Sequence, residues 1–193
     1  ITNDTDGVIT AGENGILVTY SSDVGGDIVN NGEITAEGIE VTSTTSAMVM
    51  GGVTNEPSEF EDDTGIGIFV NKSASVAGSI LNNEGGEINA ATDGILVSYT
   101  STVGGDIIND GTITATEDDG IDITESSTVT GDVINNGTIT VGQDAINLDG
   151  TSTISGSIIN GSDGIIVAAD DGIDIDDSSV VAAITNSGSI TAT

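Results

Sequence analysis

Apolar residues recur at every second position in short bursts along this chain, and the bursts themselves recur. The first kind reads G-I-x-(I/V). It places Ile16 and Val18, Ile39 and Val41, Ile68 and Val70, Ile95 and Val97, Ile121 and Ile123, Ile146 and Leu148, and Ile173 and Ile175 on one side. A period of two is that of a β-strand with one buried face. The second kind reads V-x-G-x-(I/V)-x-N, with Val103, Gly105, Ile107 and Asn109 inward in one instance and Val129, Gly131, Val133 and Asn135 in the next. The third reads x-I-T-A and turns Ile34, Ile88, Ile113, Ile139, Ile166 and Ile190 inward. Glycine, Asn and Asp punctuate the bursts as turn signals.

The Asn that closes the second burst serves as a ruler. It falls at Asn3, Asn30, Asn55, Asn82, Asn109, Asn135, Asn160 and Asn186, in steps of 25 to 27 residues. The Gly that opens the first burst is a second ruler, at Gly15, Gly38, Gly67, Gly94, Gly120 and Gly172, with Ala145 in one place, in steps of 23 to 29 residues. Both rulers span the chain, which predicts a single repeat domain over residues 1–193. Strands this short cannot bury a face alone, and stacking equivalent strands builds one continuous core. The pattern predicts an all-β, parallel β-solenoid of roughly triangular section, with about 26 residues per coil and seven to eight coils. Inward Asn amides can donate to one neighbour and accept from the other, so the Asn column is expected to be a structural ladder. The Gly that follows each Asn is expected to supply a positive φ at the corner. The stretch from Gly38 to Asp63 is irregular: "EPSEFEDDT" replaces the third burst, with Phe60 expected in the Ile place and Pro57 at a corner or exposed edge.

Charge narrows the partners. The chain carries 32 acidic residues against one basic residue, Lys72, for a formal net charge of −31. Such a surface cannot neutralise phosphates, which excludes nucleic acid, and it repels anionic lipid. No apolar run is long enough to insert in a membrane. Without His, Cys or Arg the usual nucleophile–base pairs cannot be built. Carboxylate pairs hydrolyse glycosides, but sugar sites also need cationic or aromatic groups, and aromatics are 2% of the chain. No enzymatic activity is expected.

The segments "SSTVTGDVINNGTIT", "TSTVGGDIINDGTIT" and "ATDGILVSYTS" resemble the passenger repeats of bacterial autotransporters and related large surface adhesins. The resemblance covers the whole chain. It implies a right-handed β-helix, secretion through the outer membrane, and display at the bacterial surface or release. The expected function is an extracellular structural or adhesive solenoid, acting as a stiff rod or fibre-forming subunit. The alternative is a module that binds ice or carbohydrate on an outward face. The chain starts at Ile1 and neither end shows a polar cap. Either it belongs to a longer array, or subunits associate end to end or laterally; a cell-surface or matrix ligand is the other expected partner.

Candidate chemistry lies in what varies. Carboxylates precede the first burst at Asp6, Asp62, Asp63, Asp93, Asp118, Asp119, Asp144, Asp170 and Asp171. Asp-Gly is good turn chemistry, and a solvated turn is the first reading; stacked carboxylates that bind Ca²⁺ are the second. A discontinuous column of Asp27, Asp106 and Asp132, with Ser79 and Ser157 between, reads as a solvated face. Val29, Leu81, Ile108, Ile134 and Ile159 alternate outward and are expected to find cover through strand twist. Leu17, Tyr20, Phe69, Leu96 and Tyr99 are expected to form a partly exposed contact surface. Outward T-x-T pairs, as at Thr112–Thr114, read as ordinary exposed strand residues.

Overall fold

Ile and Val at alternate positions give each short strand one apolar side, and in the computed structural model, which describes residues 1–36 and 65–193, those sides meet in a single interior. The described strands stack in parallel, turn upon turn, as a β-solenoid of about 6 turns with about 26 residues per turn. Three sheets run along it. One holds strands such as Ile95–Val97 and Ile121–Ile123. A second holds Thr102–Val103 and Ile107–Asn109 with their counterparts. The third holds Thr112–Ala115 and Thr138–Val141 with theirs. Registers pair like with like: Ile95 with Ile121, Ile107 with Val133, Ile113 with Ile139. The resulting columns are dry, and Ile28, Ile34, Ile80, Ile88, Ile107, Ile113, Ile121 and Ile139 have no exposed surface.

Four features depart from the sequence reading. The second burst is not one strand but two, split at Gly104 and Gly105 between Thr102–Val103 and Ile107–Asn109. Thr153–Asn160 runs through, with an irregularity between Ile154 and Ser157.

The described residues make about six turns, and these turns do not follow the repeats one by one. Ile16 pairs directly with Ile68, Asn30 with Asn82, and Ile34 with Ile88. Those partners are two repeats apart in sequence and one turn apart in space. Asn55, Pro57, Phe60, Asp62 and Asp63 lie outside the described residues.

The Gly after the Asn is not there for a positive φ. Among the described residues only Gly65, Gly85 and Gly150 among glycines have one. At Gly111 the demand is closeness: a Cβ there would lie 2.7 Å from the carbonyl oxygen of Asn83 and 2.8 Å from Nδ2 of Asn82.

Left-handed backbone appears elsewhere, at the corner after the first strand. Consecutive residues adopt it there in successive turns: Tyr20 and Ser21, Lys72 and Ser73, Tyr99 and Thr100, Glu125 and Ser126, Gly150 and Thr151, Asp177 and Ser178.

Candidate functional site

Each corner of the solenoid must satisfy backbone groups that the strands leave over. The Asn column does this inside. Nδ2 of each Asn donates to Oδ1 of the next, from Asn3 through Asn30, Asn82, Asn109, Asn135 and Asn160 to Asn186, at 2.7–2.9 Å. The second amide hydrogen reaches backbone oxygens, as from Asn109 to Thr138 at 3.2 Å. The ladder expected from the sequence is present, and Asn30 donates directly to Asn82.

The acidic corner is a second ladder. Oδ1 of Asp93 accepts the N–H of Asp119, Oδ1 of Asp119 accepts that of Asp144, and Oδ1 of Asp144 accepts that of Asp171. Asn14 plays the same part towards Ile66 at the first of these turns. The Asp27 column, expected to be merely solvated, works likewise. Asp27 accepts from the N–H of Ser79, Ser79 Oγ from Asp106, Asp106 from Asp132 and Asp132 from Ser157, at 2.7–3.0 Å. Asp and Ser replace one another there because both offer a short-armed acceptor. A fourth column went unrecognised in the sequence: the hydroxyls of Ser101, Ser127, Ser152 and Ser179 accept the N–H groups of Ala74, Ser101, Ser127 and Ser152. Its signal was a Ser immediately before Thr-Val or Thr-Ile, at Ser101, Ser127 and Ser152, and before Val-Val at Ser179.

At two places acids of this corner gather. Carboxylate oxygens of Asp93, Asp119 and Asp122 lie within 4.8 Å of one another, as do those of Asp144, Asp170 and Asp171. The two groups differ in setting. Asp170 and Asp171 are exposed, whereas Asp93 and Asp119 are buried. Asp122 stands outward in the middle of Ile121–Ile123, in register between Leu96 and Asn147. Its residue keeps a partly exposed edge, but its Oδ1 is shut off from solvent and no donor reaches it. The same is true of Oδ1 of Asp149. Burial, and then the charges of Asp93, Asp119, Asp149 and Asp118, push the Asp122 carboxyl well above its ordinary value. Burial likewise raises Asp119 to about 6, opposed by the hydrogen bonds from Asp144 and Asn147 and aided by the charges of Asp118 and Asp144. Asp144 is raised chiefly by burial. Asp122 was not a candidate in the sequence. Its signal was an acid in an outward column that otherwise begins Leu17, Phe69, Leu96.

That apolar column is not the exposed surface it was expected to be. Phe69 and Leu96 are 3% and 4% exposed and form a small separate cluster with Ile66, against which Leu17 packs. Tyr20 is exposed, its ring 4.4 Å beneath the Lys72 ammonium, which also donates to its hydroxyl; Tyr99 is half-buried. Val29, Leu81, Ile108, Ile134 and Ile159 do face outward and stack on one another as a half-buried ridge.

Comparison with protein-family models, with curated proteins and with solved structures gives no match.

Proposed function

We propose that this chain is an extracellular structural or adhesive solenoid, a stiff rod segment of a bacterial surface protein. One observation carries the reading: four columns of repeated polar residues are spent on the neighbouring turn. The Asn, Asp and Ser columns bond turn to turn, and the Ile columns fill the interior. A chain that invests its recurring chemistry in longitudinal bonds resists bending and local opening, because each turn is held by both of its neighbours. The acidic exterior suits water rich in salt or divalent cations, where self-repulsion is screened. The resemblance to autotransporter and adhesin repeats supports the surface location.

Ice binding is the less favoured reading. Its flat face would be the outward side of the third sheet, where Thr112 and Thr114 stack on Thr138 and Thr140. On either side of these, the same columns hold Glu87 and Asn89, or Ile165 and Val167. A regular hydroxyl lattice thus extends over two turns.

Antibodies against the chain provide the test. Staining of intact, unpermeabilised cells of the organism that makes it, together with adhesion lost on deletion of its coding region, is the expected result. Signal that appears only after permeabilisation overturns the reading. Thermal hysteresis by the purified chain would favour the ice-binding alternative.

A further inference from the structure

The geometry points to a divalent-cation site for a hard, oxygen-seeking ion of the Ca²⁺ class, built by the carboxylates of Asp93, Asp119 and Asp122. Acidic residues near one another on this chain are ordinary, and the Asp144, Asp170 and Asp171 group is one such exposed cluster. The Asp122 group differs in a way that calls for a ligand. Its Oδ1 is sealed from water and receives no hydrogen bond, and a carboxylate oxygen of the same residue lies within 4.8 Å of oxygens of two further buried acids. A carboxylate oxygen so placed is left with neither solvent nor donor, which proteins rarely tolerate. The surroundings offer no compensating charge: Lys72 is the sole basic side chain of the sequence and lies on Tyr20. The Asp149 carboxylate, with its own closed-off Oδ1, adds to the negative field at Asp122.

The ligand set defines the chemical class. All three donors are carboxylate oxygens, with no nitrogen or sulfur, which suits Ca²⁺ and disfavours zinc or copper. The oxygens of Asp93 and Asp119 are already positioned by corner bonds. Asp93 accepts the N–H of Asp119 at 3.2 Å, and Asp119 accepts the N–H of Asp144 at 2.8 Å and the amide of Asn147 at 3.1 Å. Each oxygen that takes one of these bonds retains a second lone pair for an ion. Asp122 is the residue the corner ladder does not use, and the one that turns a structural corner into a site. Ca²⁺ accepts six to eight oxygens in flexible geometry, so water completes the shell. The site spans two adjacent turns and would clamp one to the other. It does not depend on where the rod is displayed.

Calorimetric titration of the chelator-stripped 193-residue chain with CaCl₂, at a fixed ionic strength of about 0.15 M, is the direct test. A saturable site is expected above the diffuse background. Asp122→Asn should weaken it at least tenfold, while Asp170→Asn with Asp171→Asn should leave it unchanged. Thermal melts check that the variant is folded and supply a second readout. In chelator, Asp122→Asn should melt above the wild type, because it removes an unpartnered carboxylate. On adding Ca²⁺ the wild type should rise and the variant should not. The proposal is overturned if the wild type shows no saturable site, if Asp122→Asn binds as the wild type does, or if Mg²⁺ reproduces the Ca²⁺ response in full.

Discussion

Asn109 and Asn136 are the same residue type one turn apart, and they do different jobs. Asn109 is fully buried, accepts from Asn82 and donates to Asn135 and Thr138. Asn136 is exposed and donates to Asp110 at 2.9 Å. Asn109→Ala should lower stability by about 3 kcal/mol, since it strands buried partners on both sides. Asn136→Ala should stay within about 0.5 kcal/mol. Urea unfolding of the two variants checks the contrast. A second residue-scale effect is electrostatic. Asp119 ionises near 6 in the folded chain, against an ordinary value of 3.8. Between those values the folded chain holds more protons than the unfolded one, so stability falls as pH rises. The contribution is whole below about pH 3.8 and gone above about pH 6. In chelator, melting temperature should therefore drop across this window, and Asp119→Asn should flatten the drop. The inward Asn was legible in the sequence because its period never fails. Asp122 was not, because its column, Leu17, Phe69, Leu96, Asp122, Asn147 and Asp174, changes from apolar to polar along the rod and repeats no residue at a fixed period.

At the scale of the strand and its corner, the alternation of Ile and Val predicted all three sheets and their inward faces. It could not show the break at Gly104 and Gly105, since a step that preserves inward direction leaves the alternation intact. Glycine was read for conformation where it serves proximity. At Gly111 the backbone of the previous turn fills the place of a side chain, so Gly111→Ala should cost about 2 kcal/mol by overpacking. The left-handed corner behaves the other way. Asp177 has φ 49° and Ser178 φ 64°, where side chains are strained and glycine is not. Gly150 already occupies the equivalent place one turn earlier. Asp177→Gly should raise stability by about 0.5–1 kcal/mol, the relief exceeding the entropy glycine adds to the unfolded chain. Chemical denaturation of the two glycine variants should show shifts of opposite sign. These corners hid from sequence reading because Tyr, Lys, Glu and Asp fill them in turn, and no composition marks the site.

For the whole molecule, the sequence ruler matched the length of a turn, about 26 residues, but could not say which repeats touch. Equivalent rungs are chemically identical, so a step of two repeats satisfies the ladder as well as a step of one. The Asn30–Asn82 bond, at 2.8 Å, is indistinguishable from the Asn109–Asn135 bond. The two margins of the skipped stretch also stand together: the N–H of Ala91 donates to the carbonyl oxygens of both Ala36 and Gly65, at 3.1 and 2.9 Å. Removing residues 37–64 and joining Ala36 to Gly65 through two glycines should leave the β circular dichroism signal and cooperative melting in place. A variant without a cooperative transition would show that the described turns do not hold one another unaided.

The direct seating of Ile16 on Ile68 and of Asn30 on Asn82 has a genetic consequence. Repeats two apart in sequence seat on each other as adjacent ones do, so unequal recombination within the coding region would add or drop turns with the Asn ladder and the Ile columns still in register. Rod length then becomes an inherited quantity that changes in increments of about 4.8 Å, while the Asn ladder and the Ile columns run on through each gain or loss.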